Sequence, residues 1–174
     1  LTSDDSEYVY LSDGGHFENL ALYQMLARKC RRIIVLDGGC DPTLSLSDLG
    51  NAMRKAKVDL NVDIEFLPGH VENLLAKNKR CALAEIQYAN EGSDSVMTGQ
   101  LIYIKPMVCG DESPAVLSYH ADNPTFPHES TGDQWFSESQ TESYRQLGYD
   151  TVDQILADYS NDGTDLFDHI DQNY

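Results

Sequence analysis

Apolar positions along this chain fall either in short continuous runs or at helical spacing, and the two kinds of segment take turns. Tyr8-Val9-Tyr10-Leu11 is a run of β-formers that predicts a strand ending at Ser12-Asp13, where Gly14-Gly15 breaks it. From Glu18 to Cys30, Leu20, Tyr23, Leu26 and Ala27 recur at helical spacing. Glu18 near the start and Arg28-Lys29 near the end suit the helix dipole. Ile33-Ile34-Val35-Leu36 is a continuous apolar run of the kind found in parallel strands covered on both faces, and it stops at a second Asp-Gly-Gly, Asp37-Gly38-Gly39. Strand, helix and strand together predict a βαβ unit.

The pattern then repeats. A helix is expected from Ser47, its N-cap, to Lys57, and a strand from Val62 to Leu67, stopped by Pro68-Gly69. A short helix around Val71 to Lys77 follows, then strands at Cys81 to Tyr88 and Gln100 to Lys105 joined by a turn at Asn90 to Asp94, which suits an antiparallel hairpin. Beyond Pro106 a helix-like stretch lies near Ala115 to Tyr119. Thr131 and Gln134 form a capping box for a helix reaching Leu147, with Trp135, Phe136 and Tyr144 on its core face and Gly148 as its stop. Thr151 caps a last helix to Tyr159, and residues 160–174 read as a frayed acidic tail. The expected fold is α/β, a mostly parallel sheet flanked by helices, with a helical C-terminal region and one domain over residues 1–159.

Charge narrows the choice of partners. The chain carries a net charge of −17, unevenly: residues 106–174 hold 14 acidic side chains and one basic one. Such a surface repels phosphate backbones and anionic lipid, so nucleic acid is not an expected partner. No run approaches the roughly 18 apolar residues of a membrane span. The four cysteines, Cys30, Cys40, Cys81 and Cys109, lack C-x-x-C pairing, and His16, His70, His120, His128 and His169 lack ligand spacing, so neither a metal nor a cofactor is expected. Asp41-Pro42 to Asp48 has neither the spacing nor the glycine of an EF-hand and reads as a loop. The chain opens on Leu1 rather than methionine and enters an apolar run at once, which reads as part of a longer protein.

In open α/β sheets functional groups gather at the carboxyl ends of strands, where both Asp13 and Asp37 are expected. Asp-Gly-Gly alone is an ordinary turn. The flanks distinguish the two aspartates: in Ser12-Asp13-Gly14-Gly15-His16-Phe17-Glu18-Asn19 the aspartate ends a strand, the glycines allow close approach, and a polar pair opens an amphipathic helix. Glu18 and Asn19 are expected to cap that helix. His16 is too near Asp13 in the chain for a Ser-His-Asp triad and is expected to line the site's mouth. Asp37 is expected to cap the Gly38-Gly39 turn, and His128 to be a packed loop residue.

The Asp13-Gly14-Gly15 to Asn19 block resembles that of patatin-like and cytosolic-type phospholipases. Leu20-Ala21-Leu22-Tyr23, Cys30 to Asp37, Asp48 to Ala56, and Phe126 to Thr131 with Tyr144 to Gly148 are similar to segments of the large bacterial members. The likeness covers residues 7–67 well and 99–148 in patches. It implies an incomplete three-layer sandwich and a cofactor-free serine–aspartate dyad acting on acyl esters of lipids. Asp13 is the base of that dyad, and Gly14, Gly15, His16 and Asn19 shape its site. The family's Gly-x-Ser-x-Gly nucleophile elbow is not in this sequence, so the resemblance implies a partner segment upstream that carries the serine, and a chain inactive alone. The full protein would be cytoplasmic or membrane-associated. A non-catalytic α/β domain binding a ligand or a protein at the same strand ends is the alternative reading.

Overall fold

The computed structural model describes residues 5–89, 97–157, 159 and 163–174. Its sheet has four strands, β1 (Arg32–Leu36), β2 (Val62–Phe66), β3 (Cys81–Tyr88) and β4 (Met97–Ile104), in the order β1-β4-β3-β2. The helices are α1 (Leu22–Ala27), α2 (Ser47–Leu60), α3 (His70–Leu75), α4 (Pro114–Asp122), α5 (Glu138–Ile155) and α6 (Leu166–Asn173). The fold is α/β, but the sheet is mixed rather than mostly parallel. β1 runs parallel to β4, whereas β3 is antiparallel to both β4 and β2. The β3–β4 pairing fulfils the hairpin expectation; its turn at Asn90 to Asp94 lies outside the described residues.

One face of the sheet holds the larger core. Leu49, Ala52 and Ala56 lie on one face of α2 and pack with Leu22 and Leu26 of α1 over Ile33, Val35, Ala84, Ile86, Leu101 and Tyr103. Two alanines let α1 and α2 come close. Asn61 ends α2 in the left-handed region at φ 50°, which asparagine tolerates better than most residues. On the opposite face Cys81, Leu83 and Ile102 meet Ile155, Phe167 and Ile170 from the ends of α5 and α6. A third cluster joins Val116 of α4 to Phe126 and Leu147.

Several expectations are corrected here. Tyr8 to Leu11 forms no strand; these residues are 69–86% exposed and pair with no strand among the described residues, and a strand without a partner has nothing to satisfy its backbone. The βαβ unit is therefore incomplete. β1 is not doubly covered: Ile33 and Val35 are buried, while Ile34 is 51% and Leu36 71% exposed on its other face. Ser47 is the first helical residue of α2 rather than its cap, because the Asp41 carboxylate accepts from Ser45 N and Leu46 N and sets the turn one residue earlier.

The capping box at Thr131 does not form. Ser130 Oγ accepts from Gly132 N and Asp133 Oδ1 from Trp135 N, and these local bonds hold a turn that competes with a helix. Ser137 is the N-cap instead, its Oγ accepting from Gln140 N at 3.1 Å. Trp135 is 92% and Phe136 50% exposed and both precede α5, so the expected core stripe is not formed; Phe136 stacks on Tyr144 with ring centroids 5.9 Å apart. α5 runs straight through Gly148 and Thr151. Residues 166–173 are no frayed tail: Asp165 caps α6 by accepting from Phe167 N, and Phe167 and Ile170 are buried. Among the described residues no helix is long and apolar enough to cross a membrane.

Candidate functional site

Parallel pairing brings the carboxyl ends of β1 and β4 to the same edge of the sheet, Leu36 opposite Ile104. The residue after each strand, Asp37 and Lys105, is polar and buried. Asp37 N donates to Ile104 O at 3.0 Å, which continues the ladder by one bond and turns the Asp37 side chain inward. There its Oδ1 lies 3.1 Å from Lys105 Nζ and accepts from Gly39 N at 2.9 Å, while Oδ2 accepts from the Tyr103 hydroxyl. Lys105 Nζ also donates to Gly39 O at 3.0 Å. Asp37 and Lys105 are each 1% exposed. A buried charge needs a partner and several hydrogen bonds to persist, and this pair has both. Burial, with Asp37 beside it, pushes the Tyr103 hydroxyl far above its ordinary pKa, so it stays a donor.

Above this centre lies a cavity of about 550 Å³, lined in part by Asn19, Asp37, Gly38, Gly39 and Asp48. Asn19 Nδ2 donates to both oxygens of Asp48 at 3.2 Å, so the start of the α1 region is tied across the mouth to the first turn of α2. A Cβ at Gly39 would lie 3.1 Å from Asp37 Oδ1 and 3.2 Å from Asp48 Oδ2, a tight fit in which the carboxylates would have to give by a few tenths of an ångström. Behind the loop, burial pushes the Asp41 carboxyl up, but the bonds from Ser45 and Leu46 outweigh it and hold the group below its usual range. Cys40 Sγ donates to His128 O at 3.0 Å. Burial and the neighbouring Lys105 lower the pKa of the His128 imidazole.

Asp13 is not among the residues that line this cavity. Its Oδ1 accepts from Gly15 N at 2.9 Å, which folds Gly14–His16 into a single 3₁₀ turn and leaves the segment exposed. A Cβ at Gly15 would come within 2.5 Å of Asn19 Oδ1 and 3.4 Å of Asp13 Oδ1, so a side chain there would displace the Asn19 amide. Gly15 thus joins Asp13 to the Asn19 that lines the cavity. Gly14 meets nothing within 4 Å of its Cβ position. His16 Nδ1 bonds Ser12 Oγ at 2.6 Å rather than the Asp13 carboxylate, so no Ser-His-Asp array forms. The helix expected from Glu18 to Cys30 is shorter, Leu22–Ala27, with Ala21 in the left-handed region as its N-cap; Glu18 accepts from Leu20 N and Tyr23 N ahead of it, and Asn19 bridges to Asp48 rather than capping.

Sequence reasoning singled out Asp13, Gly15 and Asn19, which lie together, and treated Asp37 as a turn residue only. Asp37 does cap Gly39, and it also anchors the buried centre. Lys105, Tyr103 and Asp48 were missed. The available signal was the break from apolar Ile104 to Lys105 at a strand end, readable only once β4 is known to lie parallel to β1. Among the described residues no cluster of three or more His, Cys, Asp or Glu side chains could hold a metal ion. Comparison of the chain with family models, curated proteins and solved structures yields no match.

Proposed function

We propose that this chain supplies the aspartate of a serine–aspartate acyl hydrolase acting on lipid or related acyl esters. The observation that carries the reading is the Asp13 to Asn19 block: an accessible carboxylate on a glycine turn, linked through Gly15 and Asn19 to the rim of a cavity at the strand ends. In the proposed reaction a serine from a segment outside these 174 residues attacks the ester carbonyl and passes its proton to Asp13. The proton then leaves with the departing alcohol as the acyl-enzyme forms, and water repeats the sequence in reverse to release the acid. A carboxylate is a weak base for an alcohol, so the step depends on fixed geometry and on backbone donors for the oxyanion. Gly14 and Gly15 keep the approach to Asp13 open.

The test joins this chain to the upstream segment of the same polypeptide that bears a Gly-x-Ser-x-Gly sequence. Hydrolysis of a p-nitrophenyl acyl ester should fall about 10²–10⁴-fold in Asp13→Asn, with circular dichroism unchanged. Unaltered turnover, or no such segment, refutes the reading. The buried Asp37–Lys105 centre favours a second reading, a ligand-binding domain without catalysis, because the 550 Å³ cavity is built without any contribution from Asp13. That reading expects cavity binding and no esterase activity in the joined polypeptide.

A further inference from the structure

The run Tyr8-Val9-Tyr10-Leu11 has the composition of a strand, yet it lies exposed and pairs with no strand among the described residues. The sheet has an unfilled place of matching kind. β1 ladders only with β4, so its outer edge presents a row of backbone donors and acceptors. The opposite edge strand, β2, carries Asp63 and Glu65, and charge on an edge discourages a further strand. β1 has no charge from Ile33 to Leu36, and Ile34 and Leu36 stand open on the face away from α1 and α2. Val152 of α5, itself 45% exposed, lines an apolar hollow with Leu36, so the bare surface continues onto that helix. Within one copy the run and the edge stay apart. Phe17 O accepts from Asn51 and Lys55 of α2, and Asn19 is tied to Asp48, which fastens the segment after the run to α2.

We propose that two copies of this chain associate by strand exchange, the Tyr8–Leu11 run of each adding to the free edge of β1 in the other. Each copy carries one donor strand and one acceptor edge, so reciprocal exchange closes the pair and leaves neither exposed. Charge sets the direction. Asp5 and Glu7 precede the run, whereas Arg28, Lys29 and Arg31 precede β1 and Arg32 is its first residue. Arg32 already meets Asp165, but Arg31 is exposed and has no ion pair among the described residues. Parallel addition brings the acidic flank onto the basic one; antiparallel addition carries it to the end of the strand where Asp37 and Asp48 lie. With Glu7 opposite Arg32, Tyr8 and Tyr10 fall on the face of Ile33 and Val35, and Val9 and Leu11 fall beside the open Ile34 and Leu36. A slip of one residue toward Leu36 would set Glu7 against the buried Ile33. This association uses neither Asp13 nor a serine, so it stands apart from the hydrolase reading.

The net charge of −17 on each copy opposes association at low salt. The 174-residue chain is therefore sedimented in about 0.15 M NaCl, where the screening length is about 8 Å. Over loadings from about 1 μM to 1 mM the average mass should climb toward that of two chains. Val9→Asp with Leu11→Asp disables the run, and Ile34→Lys places a charge on the open face of the edge strand. Each should raise the dissociation constant at least about tenfold with circular dichroism unchanged, since all three positions are exposed in one copy. If Ile34→Lys fails to fold, Leu36→Lys at the more exposed position serves in its place. An equimolar mixture of the run variant and the edge variant retains one intact edge and one intact run, and should associate at least about tenfold more tightly than either alone. A wild-type chain that keeps the mass of one copy at every loading overturns the proposal. So does a dimer unaffected by both variants, or a mixture no tighter than its components. Protection of the Val9 to Leu11 amides from hydrogen exchange in a chain that stays single would show its own run on the edge, and overturns it equally.

Discussion

Asp37 and Lys105 form an ion pair withdrawn from water, and its energetics depend on what remains when one partner is removed. The attraction is set against the loss of two hydration shells, so the pair as a whole adds little net stability, but an orphaned ammonium in the same place is costly. Asp37→Ala should therefore lose about 3–5 kcal/mol in urea unfolding, while Asp37→Leu combined with Lys105→Met should recover most of it. Equal losses in the single and double variants would contradict this account. The Asp13 turn is legible at this scale because it is local: an aspartate, two glycines and a capping bond within seven residues. Lys105 is not legible, because nothing near it in the chain announces the carboxylate it meets. The contact exists through the register of two strands distant in sequence.

Among the elements, α6 shows how local signals mislead. Five carboxylates between residues 158 and 171 suggest a solvated tail, yet Phe167 and Ile170 sit on one face with Asp168 and Asp171 turned away. Phe167→Ala should cost about 3 kcal/mol of the chain's global stability. A loss below about 0.5 kcal/mol in denaturant unfolding would mean that α6 is dispensable. The same competition between local and distant partners explains α5. Thr131 and Gln134 had the spacing of a capping box, but Ser130 and Asp133 satisfied their own neighbours first, and the helix began at Ser137. Gly148 was read as a stop because glycine so often ends helices. It is overridden here because Leu147, Thr151 and Ile155 are buried on either side of it, and continued packing outweighs one poor propensity. β3 and α2, whose patterns were dense and uninterrupted, matched their expected bounds within three residues at each end.

Across the whole molecule the charge of −17 opposes compaction, and twelve basic side chains offset only part of it. Raising NaCl from about 0.01 M to 1 M shortens the screening length from about 30 Å to 3 Å and should raise the melting temperature. A melting temperature that falls with salt would show that the ion pairs outweigh the repulsion. What the sequence determined by itself is what depends on neighbours within a turn or two: the α/β class, the helix and strand segments with dense patterns, the β3–β4 hairpin, and the glycine turn that Asp13 opens. Only the tertiary structure decided that the sheet is mixed, that β1 lies at an edge with one face open, and that Asp37, Lys105 and Tyr103 meet beneath a cavity ringed by Asn19 and Asp48. The difference is physical. Propensity and periodicity act over a few residues, whereas pairing direction, burial of a charge and the space left over a glycine are settled by segments that meet only after the chain has folded.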